Sequence, residues 1–287
     1  MKNVLVTGAN GQLGQCLKEL SVIYPAINFV FTNSKTLDIV KKEDIAIIFN
    51  NIEFDFCINC AAYTAVDKAE EESERAKSVN VFGAQYLAEV CFEHNTTLIH
   101  ISTDFVFDGT ASKPYSETDN TSPLSVYGQT KLEGEHKIQE ILDNYFIIRT
   151  SWLYSEYGNN FMKTMLKLGQ VRTELSIVGD QIGTPTYAKD LAKVLLKLIL
   201  DNNKCYGIYH YSNEGRVSWF DFAKEIFEKI NNSIKLNEIL AIEYPTPAVR
   251  PKFSVLCKDK IVNNFEITIP NWKSSLERAL GNINNNT

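Results

Sequence analysis

Nowhere in the 287 residues does an apolar run approach the ~18 residues that a membrane-spanning helix needs. The apolar stretch after Met1 is a few residues long and leads into glycine, so it reads as a strand rather than a signal peptide. Positive charge is scarce as well. The net charge is −6 and no lysine/arginine cluster occurs, which argues against nonspecific binding to nucleic acid or to an anionic membrane. The expectation is a soluble cytoplasmic protein. Cysteine pairing is also thin: Cys16, Cys57, Cys60, Cys91, Cys205 and Cys257 are scattered through apolar surroundings. Cys57-Ile58-Asn59-Cys60 has the spacing of a redox or zinc pair, but no second pair or nearby histidine accompanies it. Reduced, buried thiols are the reading. Internal repeats are missing, and the asparagine-rich tail at 282–287 is expected to fray.

What is present is 44% hydrophobic residues, enough for a large core, arranged as strands alternating with helices. Apolar segments at 4–7, 29–32, 56–61, 98–102 and 146–150 read as strands, with helices at 11–20, 44–49, 70–75, 81–92 and 125–138 between them. That rhythm implies right-handed crossovers and an α/β fold, a doubly wound, Rossmann-like parallel sheet. After residue 150 it loosens into helix 161–168, strand 175–178, helix 188–200, strand 207–211, helix 219–230 and a stretch with Pro245, Pro247 and Pro251. Residues 1–150, with the helix near 188–200, are assigned to a dinucleotide-binding domain. The remainder of 151–287 is assigned to a smaller, interleaved substrate lobe.

Gly8, Gly11 and Gly14 follow the first strand and open the first helix. Glycine there lets the backbone turn sharply and lets a diphosphate approach the helix amino terminus, where free N–H groups and the helix dipole favour anions. Small residues after the third strand, Cys60, Ala61 and Ala62, let a ribose or nicotinamide pass close above. Asp38 and Ile39 lie where a loop can meet adenine. Asn33 and Ser34, not an acid, follow the second strand, so nothing repels a 2′-phosphate, and no nearby arginine grips it. NADPH is favoured modestly, with NADH also accepted.

Ser102-Thr103-Asp104 ends the fourth strand, and Tyr127 with Lys131 follows on the next helix. An i, i+4 pair shares one helix face, which brings the ammonium near the phenol. A free phenol titrates near ~10, and a neighbouring cation can lower it by roughly 1–3 units toward useful proton transfer. Thr103 is placed to donate to a carbonyl oxygen being reduced.

The chain resembles the extended short-chain dehydrogenase/reductases and, more narrowly, the family of dTDP-4-dehydrorhamnose reductases. The resemblance rests on the blocks at 7–14, 61–70, 102–109, 127–131, 149–154, 158–161, 180–186 and 250–251. It implies reduction of a dTDP-4-keto sugar by NAD(P)H, as a step toward a rhamnose precursor of cell-surface polysaccharide. By the same resemblance Tyr127 is the proton donor, Lys131 holds the nicotinamide ribose and tunes Tyr127, and Thr103 contacts the carbonyl. Gly11, Gln12 and Leu13 line the pyrophosphate, Asp38 and Ile39 the adenosine, and Ala62, Tyr63 and Thr64 the nicotinamide side. Thr103, Asp104 and Trp152 face the deoxysugar, while Asn160, Gln181 and Arg250 meet the nucleotide diphosphate. Some members dimerise through magnesium held by a first-helix glutamate. Cys16 stands at that position, so no metal site is expected there and any homodimer must form without it. Two alternatives remain: another nucleotide-sugar 4-ketoreductase or epimerase on this fold, and a non-catalytic subunit like that accompanying methionine adenosyltransferase. Phe105 after Asp104 disfavours a dehydratase, whose motif places a second acid there.

Overall fold

The computed structural model describes residues 1–201 and 203–285. The five apolar segments form parallel strands β1 (Lys2–Thr7), β2 (Ile27–Phe31), β3 (Phe56–Asn59), β4 (Thr97–Thr103) and β5 (Tyr145–Thr150). A sixth, Gly207–His210, pairs in parallel with β5 at the sheet edge. Side-chain alternation assigns the two faces. Val4, Val6, Ile58, Ile99, Phe146 and Ile148 meet the helices Gln12–Ser21 and Ala188–Leu200. Leu5, Cys57, Leu98 and Ile147 meet the helices Lys42–Asn51, Gly83–Glu93 and Val126–Ile141. Each fully buried aliphatic side chain in these layers contributes roughly 1.5–3 kcal/mol of transfer free energy.

The sheet order is β2-β1-β3-β4-β5 followed by Gly207–His210, so the winding reverses between β1 and β3. A doubly wound sheet opens a crevice outside the carboxyl ends of its strands at that reversal. The site below lies there.

Three segments differ from the sequence reading. Strand 207–211, assigned to the second lobe, joins the main sheet, because its apolar residues complete the edge beside β5. Lys235–Ile239, polar at Lys235, Asn237 and Glu238 and absent from the strands expected above, pairs in parallel with Glu174–Val178. The helix Trp272–Asn285 carries the first part of the asparagine-rich tail, and Asn282 donates to Glu156 Oε1 (3.1 Å) and Tyr187 OH (2.9 Å). The rest of that tail, Asn286 and Thr287, lies outside the described residues.

The lobe's core gathers Met162, Phe222, Ile226, Trp272 and Leu276 from the helices Phe161–Val171, Trp219–Lys229 and Trp272–Asn285. The second of these starts at a capping box formed by Ser218 and Asp221. Among the described residues, no helix is long and apolar enough to cross a membrane.

Candidate active site

Gly8 takes a left-handed backbone (φ +64°), and a Cβ there would stand 2.6 Å from the Ala61 nitrogen, so glycine lets β1 and β3 close up. Gly14 has a different task. A Cβ at that position would lie 2.5 Å from Ala9 Cα, so it packs the helix onto the turn. At Gly11, by contrast, the added atom would meet only the Gly8 carbonyl, at 3.2 Å, and this residue faces the crevice. Gly11 caps the helix Gln12–Ser21 with no side-chain hydrogen bond and no acid in the first turn. The amino terminus therefore offers unspent N–H groups to an anion. The crevice, about 360 Å³, is lined by Gly8, Gly11, Asp38, Ile39, Ala61, Ala62 and Tyr63, with Asn33 and Ser34 at the β2 side.

Three of the residues named for the cofactor do not bring their side chains to the crevice. The Leu13 side chain is core. Gln12 accepts from Asn160 Nδ2 (2.8 Å) and Ser155 Oγ (3.0 Å), which ties the first helix to the second half of the chain. Thr64 is exposed and does not line the crevice.

Ser125 caps the helix Val126–Ile141 by accepting from the Gly128 nitrogen (3.2 Å). A Cβ at Gly128 would come within 2.3 Å of the Phe105 carbonyl, so this glycine seats the helix against the turn after β4. That contact sets Tyr127 beside Thr103, with its ring edge-on to Phe105 at 5.7 Å. Burial pushes the Tyr127 phenol up to about 12; the Thr103 hydroxyl pulls it down and the Asp104 carboxylate pushes it further up. Lys131 is buried, and its Nζ donates to the Ile101 carbonyl (2.6 Å) and lies 3.1 Å from His100 Nε2. Burial lowers its ammonium to about 8, against the opposing pull of Glu135. The expected lowering of the phenol by Lys131 is not seen in this arrangement, in which the amine is turned to His100.

In the second half, Trp152 (φ +46°) stacks on Trp219, with ring centroids 3.5 Å apart and planes 7° from parallel. Asn160 caps the helix Phe161–Val171 and holds Gln12. Arg250 grips Asp67 through NH1 (3.0 Å) and NH2 (2.8 Å), so its guanidinium ties the lobe to the helix Val66–Ala69. Gln181 is buried.

A family model described as "RmlD substrate binding domain" matches residues 1–285. The dTDP-4-dehydrorhamnose reductase of Aggregatibacter actinomycetemcomitans is 44% identical over 99% of this chain and 98% of its own length. That of Escherichia coli K12 is 38% identical over 98% of each chain. The chain belongs to the dTDP-4-dehydrorhamnose reductase family. A crystal structure of a reductase of that name from Bacillus anthracis, in complex with NADP, superposes with a TM-score of 0.94 at 41% identity, covering 98% of this chain and 100% of the other.

Within this family fold, three neighbours of the site escaped the sequence reading. Arg75, more than forty residues beyond Ser34, lines the same crevice, contrary to the expectation that no arginine stands there. Its NH1 meets Glu72 (3.1 Å), which also accepts from the Tyr63 hydroxyl (3.0 Å). Asn80, in the π-helical turn Ser78–Phe82, clamps the Tyr63 backbone from both sides, at 2.9 and 3.1 Å. Trp219 backs Trp152. Cys16, in the helix Gln12–Ser21, is fully buried, and burial pushes its thiol up. Among the described residues, no group of three or more His, Cys, Asp and Glu gathers as a metal site.

Asp104 is the odd group of this reductase site. It is 1% exposed, and its Oδ2 is buried with no hydrogen-bond partner among the described residues. Burial pushes the carboxyl up to about 7, with the Ser254 and Thr103 hydroxyls pulling the other way. A raised carboxyl binds its proton more tightly in the folded chain, so its contribution to stability is complete below about pH 4 and lost as pH rises through about 7. Asp104→Asn should therefore be the more stable protein at pH 8, by about 2–4 kcal/mol, and near parity at pH 4. Urea midpoints at the two pH values check this; an asparagine variant that gains nothing at pH 8 would mean that the carboxylate is well solvated.

Proposed function

We propose that this chain reduces dTDP-4-dehydro-β-L-rhamnose to dTDP-β-L-rhamnose with NADPH, in the cytoplasm. The observation that carries the reading is family membership along nearly the whole chain, from the glycine turn through the second lobe. The crevice fits a dinucleotide: Gly11 opens a helix terminus toward it, and the closest contacts of Gly8 leave backbone alone between β1 and β3. When bound, NADPH supplies the hydride.

The chain's own groups do the rest. Thr103 Oγ orients the sugar carbonyl, Tyr127 delivers a proton to its oxygen, and the Lys131 ammonium steadies the phenolate left behind. Trp152, braced by Trp219, gives the methyl-bearing sugar a flat apolar wall, and Gln181 serves the nucleotide diphosphate. Arg250 and Asn160 position loops around the substrate, since their side chains are engaged by Asp67 and Gln12. Purified protein mixed with dTDP-4-dehydrorhamnose should consume NADPH stoichiometrically. Consumption with a different keto sugar and none with this one would overturn the substrate assignment, and redox-neutral turnover would point to an epimerase.

Arg75 refines the cofactor preference. Its side chain is 73% exposed and paired to Glu72, an arrangement that contributes little by itself but leaves a guanidinium lining the same crevice as Ser34. A 2′-phosphate can draw it in through charge-assisted hydrogen bonds. Arg75→Leu should lower kcat/KM for NADPH about three- to tenfold, about 1 kcal/mol, and leave NADH unchanged. Equal losses with both cofactors would assign Arg75 to the Tyr63 loop instead.

A further inference from the structure

Behind Lys131 runs a buried chain of polar groups whose hydrogens can be assigned one after another. It begins at the Ala61 backbone N–H, a fixed donor, which points at Asn59 Oδ1 (3.1 Å); Thr7 Oγ donates to the same oxygen (2.7 Å). The amide of Asn59 therefore has only one permitted orientation, because turning it over would set two N–H donors face to face. With the oxygen committed to Ala61, Asn59 Nδ2 faces His100 Nδ1 at 3.0 Å. Nδ1 must accept, so the imidazole carries its proton on Nε2. That N–H points at Lys131 Nζ, 3.1 Å away. An ammonium there would oppose donor to donor, whereas a neutral amine has a lone pair for Nε2–H and still has two hydrogens, one of them for the Ile101 carbonyl. Asn59, His100 and Lys131 are each 1% exposed, so a mismatch would stay unrelieved by bulk water.

We propose that His100 is a positioning residue that, at alkaline pH, holds Lys131 as a neutral amine before cofactor binds and releases it toward the crevice when cofactor binding adds a proton. The reading rests on Lys131 as the cofactor-side cation. The added proton comes from the buffer to the Nζ lone pair; once that pair is used, Nε2–H no longer has an acceptor on Nζ, and the ammonium turns from His100 toward the anionic cofactor and Tyr127. The titratable neighbours do not upset this assignment. Tyr127 and Glu135 stand on the same helix, Asp104 ends β4, and Arg149 on β5 is paired to Glu135. β1, β3 and the turn at 78–82 bring Thr7, Asn59 and Asn80, all neutral. Burial lowers both Lys131 and His100, which favours the neutral form of each.

Calorimetric titration of the intact protein with NADP+, in buffers of different ionisation enthalpy, measures protons taken up per cofactor. At pH 9 the wild-type protein should take up close to one. Asn59→Asp gives His100 Nδ1–H an acceptor, reverses the tautomer and turns the Nε2 lone pair to a charged Lys131. His100→Gln lets an amide oxygen face the ammonium. In both variants uptake should fall below half the wild-type value, a change that a merely structural role of His100 would not produce. Either variant suffices should the other fold poorly. Binding without uptake in the wild type, or equal uptake in all three proteins, overturns the proposal alone; no binding of NADP+ removes the cofactor reading and this proposal with it.

Discussion

Replacing Tyr127 by phenylalanine is expected to lower turnover by roughly 10²–10⁴, the range a positioned proton donor supplies. The ring's place is fixed by packing that phenylalanine keeps: the edge-on contact with Phe105 and the helix seated at Gly128. Fold and cofactor affinity should therefore survive, which calorimetric titration with NADP+ verifies. Lys131→Met should differ, weakening cofactor binding as well as turnover, because both the proposed ribose contact and the proposed charge beside the phenol go. The pH dependence separates the two groups. In the free site burial pushes Tyr127 up to about 12, so the phenol stays protonated across the working range. The alkaline limb of kcat/KM for NADPH belongs to Lys131, whose ammonium, held down to about 8, loses its proton as pH rises past that value. Lys131→Met should show no such limb. A Tyr127→Phe enzyme with near-normal turnover would move the donor to another group, of which Asp104 is the nearest carboxyl raised into the neutral range.

The parts of this site that the sequence makes legible are those whose geometry is local. Gly8, Gly11 and Gly14 are set by one strand-to-helix turn, and Tyr127 and Lys131 by one helical repeat. The alternation of apolar residues also gives both faces of the sheet, since Val4 and Leu5 must point opposite ways. What stays hidden depends on pairing across the chain. Asn59 meets His100 only because β3 and β4 align in that register, and His100 meets Lys131 only because the helix Val126–Ile141 lies over β4. Arg75 reaches the crevice that Ser34 lines through the fold of the segment after β3, far along the chain from the end of β2. Trp152 was read as a sugar wall; that its inner face would be filled by Trp219, in a helix that begins beyond residue 218, carries no local signal. Polar strands fail for a different reason: Lys235–Ile239 has one solvated face and edge position, so burial writes no pattern into it.

Arg149→Leu is expected to destabilise the protein by about 3–5 kcal/mol, the range for breaking a buried ion pair from one side. Glu135 is 0% and Arg149 3% exposed. The guanidinium reaches the carboxylate through Nε (3.0 and 3.2 Å) and NH2 (2.6 Å), while Ser102 Oγ donates to Glu135 as well. Arg149 also lies over the Phe107 ring, 5.3 Å from its centroid. The pair therefore joins the helix carrying Tyr127 and Lys131 to β4 and β5, beneath the reacting groups. Leucine in place of Arg149 leaves Glu135 with the Ser102 hydroxyl and no hydrogen-bonded cation. An unpaired buried carboxyl rises above its unfolded value, so the variant binds a proton on folding, and its deficit should be larger at pH 8 than at pH 5. The double variant Glu135→Leu, Arg149→Leu removes both charges and should recover most of the loss, because an apolar pair avoids the desolvation that the ion pair must offset. Urea unfolding of the four proteins closes the double-mutant cycle. Single losses under about 1 kcal/mol would mean that water reaches the pair as it does a surface bridge. Recovery of stability in the double variant without recovery of turnover would place the pair's value in catalysis: Glu135 is also the carboxylate that supports the charge on Lys131.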